Sequence, residues 1–227
     1  MKRTVQEFNY IFDHTLLKPP ATEADLKVLC DEAVRYGFHT VAINTGTSKV
    51  CAEMLKGTNV LVDAAVGFPL GITTIASKVF ETEDAIANGS GEIDYVVNVG
   101  KVKEHDWAYI EDEMTQIVAA CRRGGVVSKV IFENCYLTDD EKIALCEIAS
   151  RVKPDFIKTS TGFGPTSATV EDVRLMRTHV SADVKVKAAG GVRDLETCLA
   201  MLDAGAERVG CSCSVAIAEA YKKSLEA

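Results

Sequence analysis

The chain has 227 residues, 47% hydrophobic and 26% charged, enough for a full core in one α/β barrel or in two small domains. A formal net charge of −8 speaks against nucleic acid as the main partner, because phosphate-backbone contacts need a basic surface; an anionic small molecule stays possible at a locally positive site. No stretch approaches the roughly 18 apolar residues of a membrane helix, and Met1-Lys2-Arg3-Thr4-Val5-Gln6-Glu7 leads into no apolar run, so neither a membrane span nor a signal peptide is expected.

Along the chain, β-branched apolar runs alternate with amphipathic helical stretches. Strands are predicted at 11–14, 40–43, 60–66, 92–99, 126–133, 155–159, 184–188 and 208–211, the first being short. Thr22, Thr138, Thr169 and Asp194 are predicted helix N-caps, with Thr138-Asp139-Asp140-Glu141 forming a capping box. Gly37 and Gly205 sit where helices should stop. Buried Val/Ile-rich strands alternating with helices call for a parallel sheet under helical cover. No linker rich in Gly, Ser or Pro divides the chain, and no Gly-x-Gly-x-x-Gly follows the first strand. A single (β/α)₈ TIM-barrel domain over 1–227 is therefore expected ahead of an open doubly wound sheet.

The eight cysteines mostly fall in apolar patterns and are expected as reduced thiols; Cys211-Ser212-Cys213 has no second Cys/His pair at ligand spacing. The four histidines form no metal signature. No metal site is expected.

Chemistry in such barrels sits at the C-terminal strand ends. Asp13, Asn44, Asp94, Asn98, Glu133, Lys158 and Lys187 are the ionisable or polar residues there. Lys158 and Lys187 end consecutive strands, and adjacent strands run about 4.8 Å apart. Two ammonium charges about 4 Å apart at an effective dielectric near 20 repel by roughly 4 kcal/mol, enough to pull one lysine down towards neutrality. A neutral amine attacks carbonyls, and a cationic neighbour is a known way to make one. The pair does not by itself say which lysine attacks. Period 2 puts Ile93, Tyr95 and Val97 on one face and Asp94 with Asn98 on the other, inside the barrel. The same alternation sends Lys129 inward with Glu133, and Lys185 inward with Lys187. A purely structural Asp–Lys pair is the competing reading.

Gly190-Gly191-Val192-Arg193 and Gly210-Cys211-Ser212-Cys213-Ser214 each lead into a helix, so both loops offer unhindered N–H groups for an anion, with Gly162 as a third wall. These loops follow strands 7 and 8, where phosphate frequently binds in this fold. Tight turns that merely need glycine are the alternative.

Taken together, Asp13-His14-Thr15-Leu16-Leu17-Lys18-Pro19, Val66-Gly67-Phe68-Pro69-Leu70-Gly71, Glu92-Ile93-Asp94, Lys158-Thr159-Ser160-Thr161-Gly162-Phe163 and Lys187-Ala188-Ala189-Gly190-Gly191-Val192-Arg193 resemble the deoxyribose-phosphate aldolase family, in order from about residue 8 to about residue 220. The resemblance implies a class I aldolase that reversibly cleaves 2-deoxy-D-ribose 5-phosphate to D-glyceraldehyde 3-phosphate and acetaldehyde. It makes Lys158 the Schiff-base lysine, Lys187 its activating neighbour and Asp94 a proton shuttle. It places substrate by Asp13, Thr15, Asn44 and Thr161, and phosphate by Gly162, Gly190, Gly191, Gly210 and Ser212. No metal or organic cofactor, a cytoplasmic location and a role in deoxyribonucleotide catabolism are implied; a homodimer is expected for a barrel of this size. Ala42 stands where many members carry a cysteine, which removes one target for the product aldehyde. Ser212-Cys213-Ser214 departs from the usual Ser-Ser-Gly loop. Two other readings are a Schiff-base aldolase or transaldolase acting on a larger sugar phosphate, and a sugar-phosphate sensor without chemistry.

Overall fold

Eight strands alternate with helices along residues 3–226, the part of the chain described by the computed structural model. The strands are β1 (Phe12–Thr15), β2 (Thr40–Asn44), β3 (Leu61–Val66), β4 (Glu92–Val96), β5 (Val127–Ile131), β6 (Phe156–Lys158), β7 (Lys185–Ala189) and β8 (Arg208–Cys211). Each pairs in parallel with its successor, and β8 returns to β1. This is a closed (β/α)₈ barrel. The doubly wound alternative is excluded by the β1–β8 pairing.

The helices are α1 (Val5–Asn9), α2 (Glu23–Tyr36), α3 (Ser48–Met54), α4 (Ile75–Ala87), α5 (Val99–Lys103), α6 (Trp107–Gly124), α7 (Asp139–Val152), α8 (Val170–His179), α9 (Leu195–Asp203) and α10 (Ser214–Glu226). Local chemistry sets their ends. Thr22 and Thr138 form reciprocal capping boxes with Asp25 and Glu141, while Thr169 and Asp194 cap α8 and α9. Gly37 closes α2 in the left-handed conformation, at φ 69°. No helix among the described residues is long and apolar enough to cross a membrane.

Alternation along the strands divides the molecule into two layers. Val41, Ile43, Val62, Val66, Ile93, Tyr95, Val130, Ile157, Val186 and Val209 point outward into one apolar core shared with the helices. Fully burying a side chain of this kind contributes about 1.5–3 kcal/mol, so this outer layer carries the fold. The inward positions are very different. Asp13, Asp63, Glu92, Asp94, Lys129, Lys158, Lys187 and Arg208 are buried there, where barrels usually hold bulky aliphatic residues. Such ions cost several kcal/mol each to desolvate, which marks the interior as chemical rather than stabilising.

Three local expectations are corrected. Strand β4 stops at Val96 rather than running to 99, because Asn98 turns the chain and caps α5, its Oδ1 accepting the Lys101 N–H at 3.2 Å. Asn98 therefore does not face into the barrel along β4. Strand β5 ends at Ile131, and Glu133 lies beyond it in the left-handed region at φ 57°. Lys185 begins β7, is solvent-exposed, and lies 4.0 Å from Glu207 rather than in a buried ion pair.

Candidate active site

The three residues at the centre of the expected chemistry converge. Lys158 and Lys187 are register partners on β6 and β7, and Asp94 projects from β4. Lys158 Nζ donates to Asp94 Oδ2 at 2.6 Å, and Lys187 Nζ donates to the same oxygen at 2.6 Å. Lys187 also lies 2.5 Å from Asp13 Oδ2 and 2.9 Å from Asp63 Oδ2. Lys129 Nζ contacts Asp63, Glu92 and Asp94 at 2.9, 2.7 and 2.7 Å. Arg208 closes the circuit by donating to Asp13 and to Glu92.

These contacts split the two lysines. Burial, and then the positive charge of Lys187, hold Lys158 below the usual lysine range against the pull of Asp94. Burial acts on Lys187 too, but Asp13, Asp63 and Asp94 together outweigh it and raise it. Lys187 is thus a fixed cation and Lys158 the lysine that more readily loses its proton. Burial would raise Asp94, yet Lys129, Lys158 and Lys187 overcome it and keep the carboxylate far below its ordinary value.

Hydrogen bonds between loops hold the strand ends. Thr159 donates its N–H to Lys187 O and its Oγ to Ala189 O, locking β6 to β7 one residue past Lys158. Glu133, buried, accepts the Thr161 N–H at 3.1 Å and also its hydroxyl. Thr161 Oγ in turn accepts the Phe163 N–H at 3.0 Å, which shapes the loop carrying Gly162.

Lys158 opens into a cavity of about 550 Å³ at the C-terminal strand ends. Thr15, Thr161, Gly162, Gly190, Gly191, Gly210 and Ser212 all line it. Gly162, Gly190 and Gly191 adopt φ of 86°, 88° and 81°, and a Cβ on Gly191 would come within 2.3 Å of Ser167. Glycine is required at this last position on both counts. Gly210 has a further role: a Cβ there would meet Lys187 Cε at 3.2 Å, so the bare backbone makes room for that lysine.

Two expected residues sit differently. Asp13 is fully buried beneath the cavity, held by Arg208, Lys187 and the Thr40 hydroxyl at 2.8 Å. Asn44 spends its amide on Leu17 O at 3.2 Å, and so steadies the β1 loop rather than lining the cavity. Asp194 caps the N-terminus of α9, its Oδ1 accepting the Thr197 N–H at 2.8 Å.

Residues 9–218 match the profile of the DeoC/LacD family aldolases. A deoxyribose-phosphate aldolase of Lactobacillus acidophilus is 57% identical over 222 residues, 98% of this chain and 94% of that protein. One from Bacteroides thetaiotaomicron is 47% identical over 220 residues, 97% of this chain and 92% of its own length. The chain belongs to the DeoC/LacD aldolase family. Among solved structures, the deoxyribose phosphate aldolase of Aeropyrum pernix, described as tetrameric, superposes with a TM-score of 0.90 at 27% identity, covering 96% of this chain and 92% of that one.

In this aldolase, several site residues lie outside the sequence reading. Lys18 and Arg193 join Lys158 on the cavity wall, and no carboxylate is among the residues that line it. Asp63, Glu92 and Arg208 complete the buried network. Two of these had a signal: Asp63 is the sole charged residue in Leu61-Val62-Asp63-Ala64-Ala65-Val66, and Glu92 shares its face with Asp94 at period 2. Asp13, Asp63 and Glu92 bring carboxylate oxygens within 4.8 Å of one another, but Lys129, Lys187 and Arg208 reach among them as the counter-charges.

Proposed function

We propose that the chain is a class I deoxyribose-phosphate aldolase, cleaving 2-deoxy-D-ribose 5-phosphate to D-glyceraldehyde 3-phosphate and acetaldehyde through a Schiff base on Lys158. The observation that carries this is the buried Lys158, held low beside Lys187 and Asp94 and opening into a cavity with cations and glycine loops on its wall. The name shared by the relatives supports the substrate.

In the proposed reaction Lys158, as free amine, adds to the substrate carbonyl to give a carbinolamine, and loss of water leaves an iminium. The substrate hydroxyl on the carbon being cleaved gives its proton to Asp94 and becomes the aldehyde carbonyl, the carbon–carbon bond breaks with its electron pair passing into the iminium, and D-glyceraldehyde 3-phosphate departs. The enamine left on Lys158 takes a proton at carbon and is hydrolysed to acetaldehyde. Asp94, ionised and shared by both lysines, is placed to move protons with Lys187. The substrate phosphate is assigned to the backbone of Gly162, Gly190, Gly191 and Gly210, the Ser212 hydroxyl, and the cations Lys18 and Arg193, with Thr15 and Thr161 beside the sugar. Asp13 and Asn44 act one layer back, through Lys187 and the β1 loop. Every step uses groups of the protein, the substrate and water.

We further assign the chain to one catalytic domain over 1–227, to the cytoplasm, and to a homodimer. Leu70, Ile72 and Phe80 expose 67%, 65% and 72% of their surface, apolar area that a second copy could cover. The activity is tested by presenting 2-deoxyribose 5-phosphate and fructose phosphates side by side. Acetaldehyde released from the first and no cleavage of the others is the expected result. Preference for a fructose phosphate would move the assignment to another Schiff-base aldolase, and binding without cleavage to a sensor.

A further inference from the structure

Asp63 has no part in the reaction as described, yet it sits inside the lysine network. Its Oδ2 accepts from Lys187 Nζ at 2.9 Å, its Oδ1 lies 2.9 Å from Lys129 Nζ, and its side chain is 1% exposed. The buried set holds four carboxylates, Asp13, Asp63, Glu92 and Asp94, against four cations, Lys129, Lys158, Lys187 and Arg208. Fully ionised, it is neutral. A nucleophilic Lys158 must give up one proton, and releasing it to solvent would leave a buried negative charge without a partner. That is the costly arrangement. Keeping the proton inside the set avoids it.

The contacts single out where such a proton would go. Asp13 is held by Arg208, Lys187 and the Thr40 hydroxyl. Glu92 is held by Arg208, Lys129 and His39, and Asp94 by three lysines. Among the described residues Asp63 has only Lys129 and Lys187 as salt-bridge partners, both shared with the other carboxylates. Burial first, then the charge of Asp94, push its carboxyl up to about 6, whereas Glu92 is lowered to about 2 and Asp13 and Asp94 are lowered as well.

We propose that Asp63 stores the proton Lys158 releases on becoming a nucleophile, and returns it when water leaves the carbinolamine. This rests on the Schiff-base reading of Lys158. The relay runs from Lys158 Nζ to Asp94 Oδ2 over 2.6 Å, on to Lys187 Nζ over 2.6 Å, and to Asp63 Oδ2 over 2.9 Å. The N–H bond of Lys158 breaks with its electron pair remaining on nitrogen. Asp94 takes that proton and passes it to Lys187 as Lys187 gives one of its own to Asp63. Lys158 and Asp63 end neutral, with Asp94 and Lys187 unchanged. On dehydration the nitrogen lone pair forms the C=N bond and the C–O bond breaks, its electron pair leaving with oxygen. The proton from Asp63, delivered through Lys187 and Asp94, completes the water. The iminium charge then stands where the Lys158 ammonium stood, opposite an ionised Asp63.

Infrared difference spectroscopy and acetaldehyde trapping with cyanoborohydride test this on the full chain, as wild type, Asp63→Asn and Asp63→Ser. At about pH 6, where the Asp63 carboxyl titrates, the free wild type should show the carbonyl stretch of a buried carboxylic acid, absent from both variants and lost from the wild type when acetaldehyde is bound. Trapping at Lys158 should vary little across the neutral range in the wild type. In Asp63→Asn the dehydration proton must come from solvent, so once Lys158 is free amine trapping should fall about tenfold for each further pH unit. The wild-type band and its loss need no substitution, so a variant that does not fold leaves the test standing. Trapping at Lys158 with no acid band and an unchanged pH profile overturns the role of Asp63 alone. No trapping at Lys158 in the wild type overturns the Schiff-base reading, and this inference with it.

Discussion

Lys158 and Lys187, register partners on neighbouring strands, donate to one oxygen of Asp94, each at 2.6 Å. The carboxylate therefore lies within contact of both ammonium groups, and their mutual repulsion is softened from the roughly 4 kcal/mol expected of a bare pair about 4 Å apart. What separates the two lysines is the company each keeps. Lys187 has Asp13 and Asp63 besides Asp94 and is raised, whereas Lys158 has Asp94 as its one salt-bridge partner among the described residues and is lowered, by burial first.

Replacing Lys187 with Leu should make Lys158 a worse nucleophile. With the positive neighbour gone and Asp94 still present, the Lys158 pKa rises. A smaller fraction is then free amine at neutral pH, and the acid limb of kcat/KM moves to higher pH. Loss of the proton relay adds to this, and turnover at pH 7 should drop by about 10²- to 10⁴-fold. A pH–rate profile of Lys187→Leu checks both the shift and the loss. Near-wild-type activity at pH 7 would contradict the activation argument.

Lys18 and Arg193 stand at the cavity wall but outside the buried network. Lys18→Ala and Arg193→Ala should each raise KM roughly tenfold, about 1.4 kcal/mol, with kcat nearly unchanged, the signature of lost uniform binding. Both side chains are exposed, so added salt should mimic part of the effect in the wild type. Unaltered KM in the double variant would place the phosphate elsewhere.

The barrel was legible because its signals are local and repeat. Buried β-branched runs at eight places, capping threonines such as Thr22 and Thr138, and closing glycines such as Gly37 all read correctly from short windows. Where β4 stops was less legible, since Val97 is as apolar as the strand before it and only the Asn98 cap ends the run. Lys158, Lys187 and Asp94 could be singled out from strand-end position and the family resemblance. The network around them depends on which inward side chains meet across the barrel, a long-range property. Asp63 and Lys187 lie 124 residues apart in sequence yet 2.9 Å apart in space. No window of sequence contains that contact. The same holds for Asp13, which the family resemblance placed against the substrate, while Arg208, 195 residues away, holds it beneath the cavity.

The central claim is that Lys158 forms the covalent intermediate. Borohydride reduction in the presence of acetaldehyde, followed by peptide mass spectrometry, tests it most directly. The mass of a reduced acetaldehyde adduct on the peptide containing Lys158, with Lys187 unmodified, is the predicted result. No adduct, or an adduct confined to another lysine, would contradict it.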